Sequence, residues 1–271
     1  MMVGALLWGC SSVPLTGRRQ MLMVSDQEIL SMSLQEYGNY MQSATKSSDK
    51  QSSEMVTRVG TRIAAAVESY LKANGLETEI ANFRWEFNLI KDNTANAFCM
   101  PGGKIVVNEG ILPYTMNETG LAVVVGQEVA HAVAKHSNEQ VSQQMLLQLG
   151  GQALGVATSG QSQIARGALS QIYGIGAKVG VLLPYSRKHE YEADHLGLIF
   201  MAMAGYNPNE AIAFWERMSS QQSGGSDFLS THPADQKRIA ALQKNMKEAL
   251  KYYNGGNTTP TKTSNGFRLV Y

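Results

Sequence analysis

The sequence predicts an α+β fold, mainly helical, with one small and mostly antiparallel sheet. Three observations carry this. Apolar residues recur at helical spacing in the segments before residue 75 and in almost all of the chain after Asn117. Between them, Phe83-Arg84-Trp85-Glu86-Phe87-Asn88-Leu89-Ile90 alternates apolar with polar residues, the period of a half-buried strand. Asn96–Met100 and Lys104–Val107 then flank the turn Pro101-Gly102-Gly103 as two short strands.

Taken in order, Ser25-Asp26-Gln27-Glu28 reads as a capping box that opens a helix through about Met41. The polar stretch from Ser43 to Ser53 separates it from a second helix, about Glu54 to Ala73. There Met55, Val59, Ile63, Ala66, Val67 and Tyr70 share a face, and Asn74-Gly75 is the stop. After the strands, Asn117 caps a helix from about Glu118 to Lys135. A long helical stretch follows to about Leu183, and another helix begins near Ser186. Asn207-Pro208 starts a helix to about Met218, because proline is well tolerated at a first helical position. Gln221 to Asp227 is a Ser/Gly-rich loop, Pro233 opens the last helix to about Tyr252, and no internal repeat is present. The expected organisation is a leader and linker over 1–24, one folded domain over 25–252 and a loose tail over 253–271.

With 44% hydrophobic and 17% charged residues, the 271-residue chain is globular rather than disordered. Its 23 basic and 22 acidic side chains form no basic stripe interleaved with aromatics, which excludes nucleic acid as a partner. Two cysteines, Cys10 and Cys99, do not make a disulfide framework. The apolar run ending in Leu7-Trp8-Gly9-Cys10 resembles a bacterial lipobox. That resemblance implies a signal peptide, lipidation of Cys10, membrane attachment through the lipid and, with Ser11 and Ser12 next, a place on the periplasmic side of the outer membrane. A frayed apolar N-terminus is the alternative. The longest charge-free run, Gln140 to Ala165, is broken by glutamines and glycines and does not read as a membrane span.

The chemistry centres on Gly126-Gln127-Glu128-Val129-Ala130-His131. In H-E-x-x-H, two histidines one turn apart on a helix hold zinc and the glutamate acts as general base. Here the motif reads Q-E-x-x-H. Further along stand Tyr185-Ser186-Arg187-Lys188-His189-Glu190-Tyr191-Glu192-Ala193-Asp194-His195-Leu196-Gly197, Asn96-Ala97-Phe98 with Pro101-Gly102-Gly103 and Gly110-Ile111-Leu112, and Ser230-Thr231-His232-Pro233 with Arg238.

Together, over about Val13 to Leu250, these four ordered motifs resemble the gluzincin zinc metalloproteases of the HtpX/BepA family, periplasmic lipoprotein branch. The resemblance implies a zincin-like protease domain built on an active-site helix. It makes Glu128 the general base, His131 and Glu190 zinc ligands, and Gln127 the degenerate position of the first histidine. Asp194 becomes the carboxylate that orients a ligand such as His131 by accepting its other ring N–H. The segment from Asn96 becomes the edge strand that substrate joins through main-chain hydrogen bonds. His232 becomes a residue that can approach and regulate the zinc, with Arg238 beside it. The implied cofactor is Zn2+, weakly bound. The implied substrates are polypeptides, namely unfolded or misassembled envelope proteins.

Glutamine is a poor zinc ligand beside imidazole or carboxylate. Losing even a partner of a ligand costs roughly 10- to 100-fold in affinity or activity, so losing a ligand costs at least that. His136 lies about 140° further round the helix than His131 and reads as a helix-end histidine against the dipole. His189 and His195 read as surface residues. His232 is the histidine that can complete a set with His131 and Glu190 from a loop. Two readings stay open: a zinc endopeptidase with an altered site, or a non-catalytic relative that binds peptides as a chaperone or adaptor. A purely structural role fits badly with Glu128, Glu190 and Asp194 all in place.

Overall fold

The computed structural model describes residues 9–13, 15–150, 161–173, 185–220, 227–233 and 236–255. A two-stranded antiparallel ribbon, β1 (Gly9–Ser12) and β2 (Arg19–Leu22), comes first. It leads to helices α1 (Asp26–Ser43), α2 (Lys50–Ala73) and α3 (Glu77–Ile80). Strands β3 (Glu86–Ile90), β4 (Ala97–Met100) and β5 (Lys104–Asn108) follow, then α4 (Leu112–Thr115) and α5 (Glu118–Val133). The remaining helices are α6 (His136–Gly150), α7 (Gln161–Ile172), α8 (Arg187–Met203), α9 (Glu210–Ser220), α10 (Asp227–Thr231) and α11 (Gln236–Ala249).

Local chemistry sets the helix starts. The side chains of Ser25, Asn117 and Ser186 accept the backbone N–H groups of Glu28, Gly120 and His189, as their positions lead one to expect. Asp49 does the same for Ser52, so α2 begins at Lys50, inside the polar stretch that reads as a separator. The helix expected through Lys135 ends at Val133 because Lys135 takes φ 58°, and the chain turns into α6 there. Parts of the long helical stretch to Leu183, most of the Ser/Gly loop, the apolar run before Gly9 and the tail from 256 lie outside the described residues.

The sheet is mixed rather than mostly antiparallel. Its order is β3-β5-β4, with β3 parallel and β4 antiparallel to β5. The tight turn at Gly102 (φ 93°) and Gly103 (φ 79°) folds β5 back onto β4, and Lys91–Asn96 carries the chain past β5 to its far side. Both faces are covered, so the strands are not half-buried. Ala97, Cys99, Ile105 and Val107 join α2, α5 and α8 in the main core. Phe98, Met100 and Val106 alternate with them and pack against α1 and α7. Residues 13–24 belong to the fold rather than to a linker, since Val13, Thr16, Arg18, Gln20 and Val24 are buried. Among the described residues no helix is long and apolar enough to cross a membrane.

At the centre, every residue of α5 from Gly120 to Val133 is buried, as expected of a helix that is apolar nearly all round. It crosses α8 where Gly126 meets Gly197. A Cβ on Gly126 would lie 3.0 Å from the Gly197 carbonyl oxygen, and one on Gly197 would lie 3.0 Å from the Gln127 nitrogen. A side chain at either position pushes the helices apart. Gly197→Val is therefore expected to cost about 1–3 kcal/mol through overpacking, read as a fall in Tm of several degrees in a thermal unfolding scan. An unchanged Tm would mean that the crossing is not tightly packed.

Candidate metal centre

The α5–α8 crossing places Gln127, Glu128 and His131 opposite Glu190 and Asp194. The turn after α10 adds His232, and α11 adds Arg238. All seven side chains are buried. One ligand-type atom each from His131, Glu190 and His232 lies within 4.8 Å of the others, the one such group of three among the described residues. His232 Nδ1 stands 3.1 Å from Glu190 Oε2, and its Nε2 stands 3.2 Å from Glu128 Oε1. The Gln127 amide donates to Glu190 Oε2 at 2.9 Å and reaches His232 Nδ1 at 3.3 Å. The sequence thus places all of its main site residues in one cluster, and the histidine beside the incomplete motif is the one from the distant loop.

The donor set fits zinc. Burial, followed by the neighbouring imidazoles of His136, His232 and His189, drives the His131 pKa well below its ordinary value, so the ring is neutral. Its Nε2 has no hydrogen-bond partner and lies 3.4 Å from Glu190 Oε1. A ring nitrogen that donates to nothing beside a carboxylate oxygen is a pair of acceptors, and a cation between them satisfies both. Gln127 Oε1 and Glu128 Oε1 are likewise buried without a hydrogen bond. Two imidazoles and a carboxylate are a chemically ordinary zinc set.

The electrostatics follow from burial and pairing. Burial raises the Glu128 carboxyl to about 7, with the charge of Glu190 adding to it and His232 and Arg238 opposing. Burial works against a charged His232 as well, but Glu190 and Glu128 outweigh it and the ring pKa is raised. For Glu190, burial is outweighed by His232 and Arg238, and its pKa is lowered.

Several expectations need correction. Asp194 does not accept from His131. Both its oxygens take Arg238, through Nε and Nη2 at 2.7 Å each. Arg238 lies over the Trp215 ring at 3.5 Å and touches Glu190 Oε2 at 2.9 Å, so Asp194 acts on the site by holding this guanidinium. His136 does not sit at the C-terminal end of α5 against its dipole. The break at Lys135 starts α6 with it, fully buried, and its Nδ1 lies 2.9 Å from His131 Nδ1. His189 and His195 are buried too, paired with Glu139 at 3.1 Å and with Glu248 at 3.0 Å.

Sequence reasoning missed a buried cluster behind His131. Arg18 binds Glu139 through two nitrogens at 3.1 and 2.7 Å and Glu192 through Nε at 2.6 Å, while Thr16 donates to Glu192. Tyr185 stacks on His131 with ring centroids 4.0 Å apart. A cleft of about 340 Å³ beside the cluster is lined by Asn96, Phe98, Glu128, Tyr173, Tyr185 and His232, so β4 does run along it as an edge strand. Two carbonyls at that edge already have partners: Cys99 O accepts from the Tyr173 hydroxyl and Ala95 O from the Phe228 amide.

A buried glutamate on α5, two imidazoles and a second carboxylate converge in one pocket, a set of groups able to hold zinc beside a candidate general base. The chain belongs to peptidase family M48, whose family model matches residues 56–246. It is 40% identical over 173 residues to the mitochondrial metalloendopeptidase OMA1 of Schizosaccharomyces pombe, covering 63% of this chain and 49% of the relative. It is 34% identical over 197 residues to that of Saccharomyces cerevisiae, covering 69% and 54%. Over 204 residues it is 25% identical to a putative beta-barrel assembly-enhancing protease of Vibrio cholerae, covering 72% and 39%. The chain spans about half the length of the first two of these relatives. The expected kinship thus holds at the level of the family, with higher identity to OMA1 than to the beta-barrel assembly-enhancing protease. The expected address on the periplasmic side of an outer membrane is overturned, because these more similar relatives are mitochondrial proteins. The lipoprotein reading of Cys10 loses its support with it; the Cys10 backbone is paired with Met21 in the β1–β2 ribbon.

Burial opposes ionisation of Glu139, yet hydrogen bonds from His189 and Arg18 bring its pKa from 4.5 to about 2. A folded-state pKa below the unfolded one stabilises the fold above about 4.5, and that contribution disappears as the pH falls towards 2. Removing Arg18 removes part of the depression. The Arg18→Ala variant is expected to unfold in an acid titration followed by circular dichroism at a pH about one unit higher than the parent. Coincident acid midpoints would show that the pair does not stabilise the fold.

Proposed function

We propose that this chain is a zinc-dependent metalloendopeptidase acting on polypeptides, with His131, Glu190 and His232 as the zinc ligands and Gln127 outside the ligand set. The observation that carries this reading is the convergence of those three side chains, with the partnerless His131 Nε2 3.4 Å from a Glu190 oxygen. His232 restores from the α10–α11 turn the second imidazole that the helix lacks. The chemistry that zinc supplies when bound is Lewis-acid polarisation of the scissile carbonyl and activation of water.

The chain's own residues do the rest. Glu128, with a carboxyl pKa near 7, is suited both to take a proton from the attacking water and to return it to the leaving amine. Gln127 holds the Glu190 carboxylate through its amide N–H, and Arg238 Nη1 pairs with the same carboxylate oxygen, Oε2. Substrate would lie along β4, where recognition through main-chain groups does not depend on side-chain identity. The second reading, a peptide-binding relative without catalysis, rests on Gln127 standing where the motif has histidine.

Zinc content and casein cleavage separate the two. The parent is expected to hold one zinc and to cleave. Glu128→Gln should keep the zinc and lose about 10²- to 10⁴-fold in rate. His232→Ala should lose zinc affinity by at least about 100-fold, and Gln127→His in that background should restore it. A parent without zinc or cleavage would favour the peptide-binding reading. A zinc-loaded His232→Ala protein would show that the ligand set is wrong.

A further inference from the structure

We propose that Arg18, Thr16, Glu192 and His136 form a hydrogen-bond relay that fixes the tautomer and ring orientation of His131, holding its Nε2 lone pair towards the metal position. The inference rests on the reading of His131 as a ligand. It assigns His136 and Glu192 as positioning residues and brings the N-terminal segment into the working site. Thr16 and Arg18 lie outside residues 56–246, the part of the chain that matches the family.

The direction of every bond follows from the one before. Glu192 accepts from the Thr16 hydroxyl at Oε1 and from Arg18 Nε at Oε2 over 2.6 Å, so it is the acceptor end of the relay. His136 Nε2, 2.9 Å from Glu192 Oε2, is then the donor of that pair. A neutral imidazole carries one N–H, so His136 Nδ1 is an acceptor. It faces His131 Nδ1 at 2.9 Å, and His131 Nδ1 is consequently the donor there. That leaves the lone pair of His131 on Nε2, the atom without a hydrogen-bond partner beside Glu190. The relay selects the one tautomer that can bind a metal through the atom facing the cluster.

The geometry also shows why these residues hold still. His136 is fully buried and stacks on His189 with ring centroids 4.4 Å apart, while His131 is packed against Tyr185. Arg18 is clamped by Glu139 as well as Glu192, which fixes the guanidinium from two helices, α6 and α8. Asp194 is committed to Arg238 and does not contact His131. The imidazole–carboxylate pair therefore takes the place of the single carboxylate that commonly orients a metal-binding histidine.

Two measurements test the relay. In the metal-free parent, long-range ¹H–¹⁵N correlation of the histidine rings is expected to place the proton of His131 on Nδ1 and that of His136 on Nε2. A proton on His131 Nε2, or on His136 Nδ1, overturns the proposal, and this experiment needs no variant to fold. Zinc affinity is then compared by chelator competition. His136→Leu, which removes the acceptor, should weaken binding by about 10- to 100-fold, whereas His136→Asn, whose amide oxygen can stand near the lost Nδ1, should recover most of the loss. Parent-like affinity in a folded His136→Leu protein, or equal weakness in both variants, also overturns it. Failure of the parent to bind zinc would instead count against the metallopeptidase reading, while the ring tautomers would still decide the relay.

Discussion

The close crossing of α5 and α8 at Gly126 and Gly197 is the constraint on which the site depends. Two helices that meet backbone to backbone bring side chains within about two turns of the crossing into the same small volume, here Gln127, Glu128 and His131 against Glu190 and Asp194. Three of those five are carboxylates, and all three are buried. Buried carboxylates are tolerated only when they are paired and hydrogen-bonded, and removing one partner of such a pair typically costs about 3–5 kcal/mol. The rest of the centre answers that demand: Arg238 satisfies Asp194 and Glu190, His232 lies between Glu190 and Glu128, and Gln127 donates to Glu190.

This arrangement changes the meaning of Gln127. Viewed on its own helix, it is the loss of a ligand. Viewed in the pocket, it donates to a carboxylate that a histidine lone pair would repel, and it shares the space with an imidazole arriving from the α10–α11 turn. A glutamine on α5 and a histidine just after α10 are complementary, because together they supply one N–H donor to Glu190 and one second imidazole. The relay behind His131 follows the same logic, since each polar group buried there is given a donor or an acceptor by its neighbour.

Much of this was legible in the sequence, and the boundary is physical. Ser25, Asn117 and Ser186 announced their helices because a cap acts within three residues. Glu128, His131, Glu190, Asp194 and His232 were legible as candidates because they sit in the ordered motifs, and the fold brings them, buried, into one cluster. What failed was partner choice. The spacing of Glu190 and Asp194 says that they share a face, not that Arg238 will claim Asp194. The burial of His136, His189 and His195 depends on Glu192, Glu139 and Glu248, each at least 50 residues away in sequence. Arg18 sat in a stretch that looked like a linker, and no local pattern marks it as the far end of a relay. The parallel β3–β5 pairing was hidden for the same reason, because a connection past a neighbouring strand leaves no periodicity of its own.

The central claim is that His232, and not Gln127, completes the zinc site. Crystals of the parent grown with zinc and measured at the zinc absorption edge test it directly. The account expects an anomalous difference peak within bonding distance of His131 Nε2, Glu190 and His232, with the Gln127 amide still on Glu190. A peak held by Gln127 Oε1 with His232 turned away, or no peak in this pocket, would contradict it.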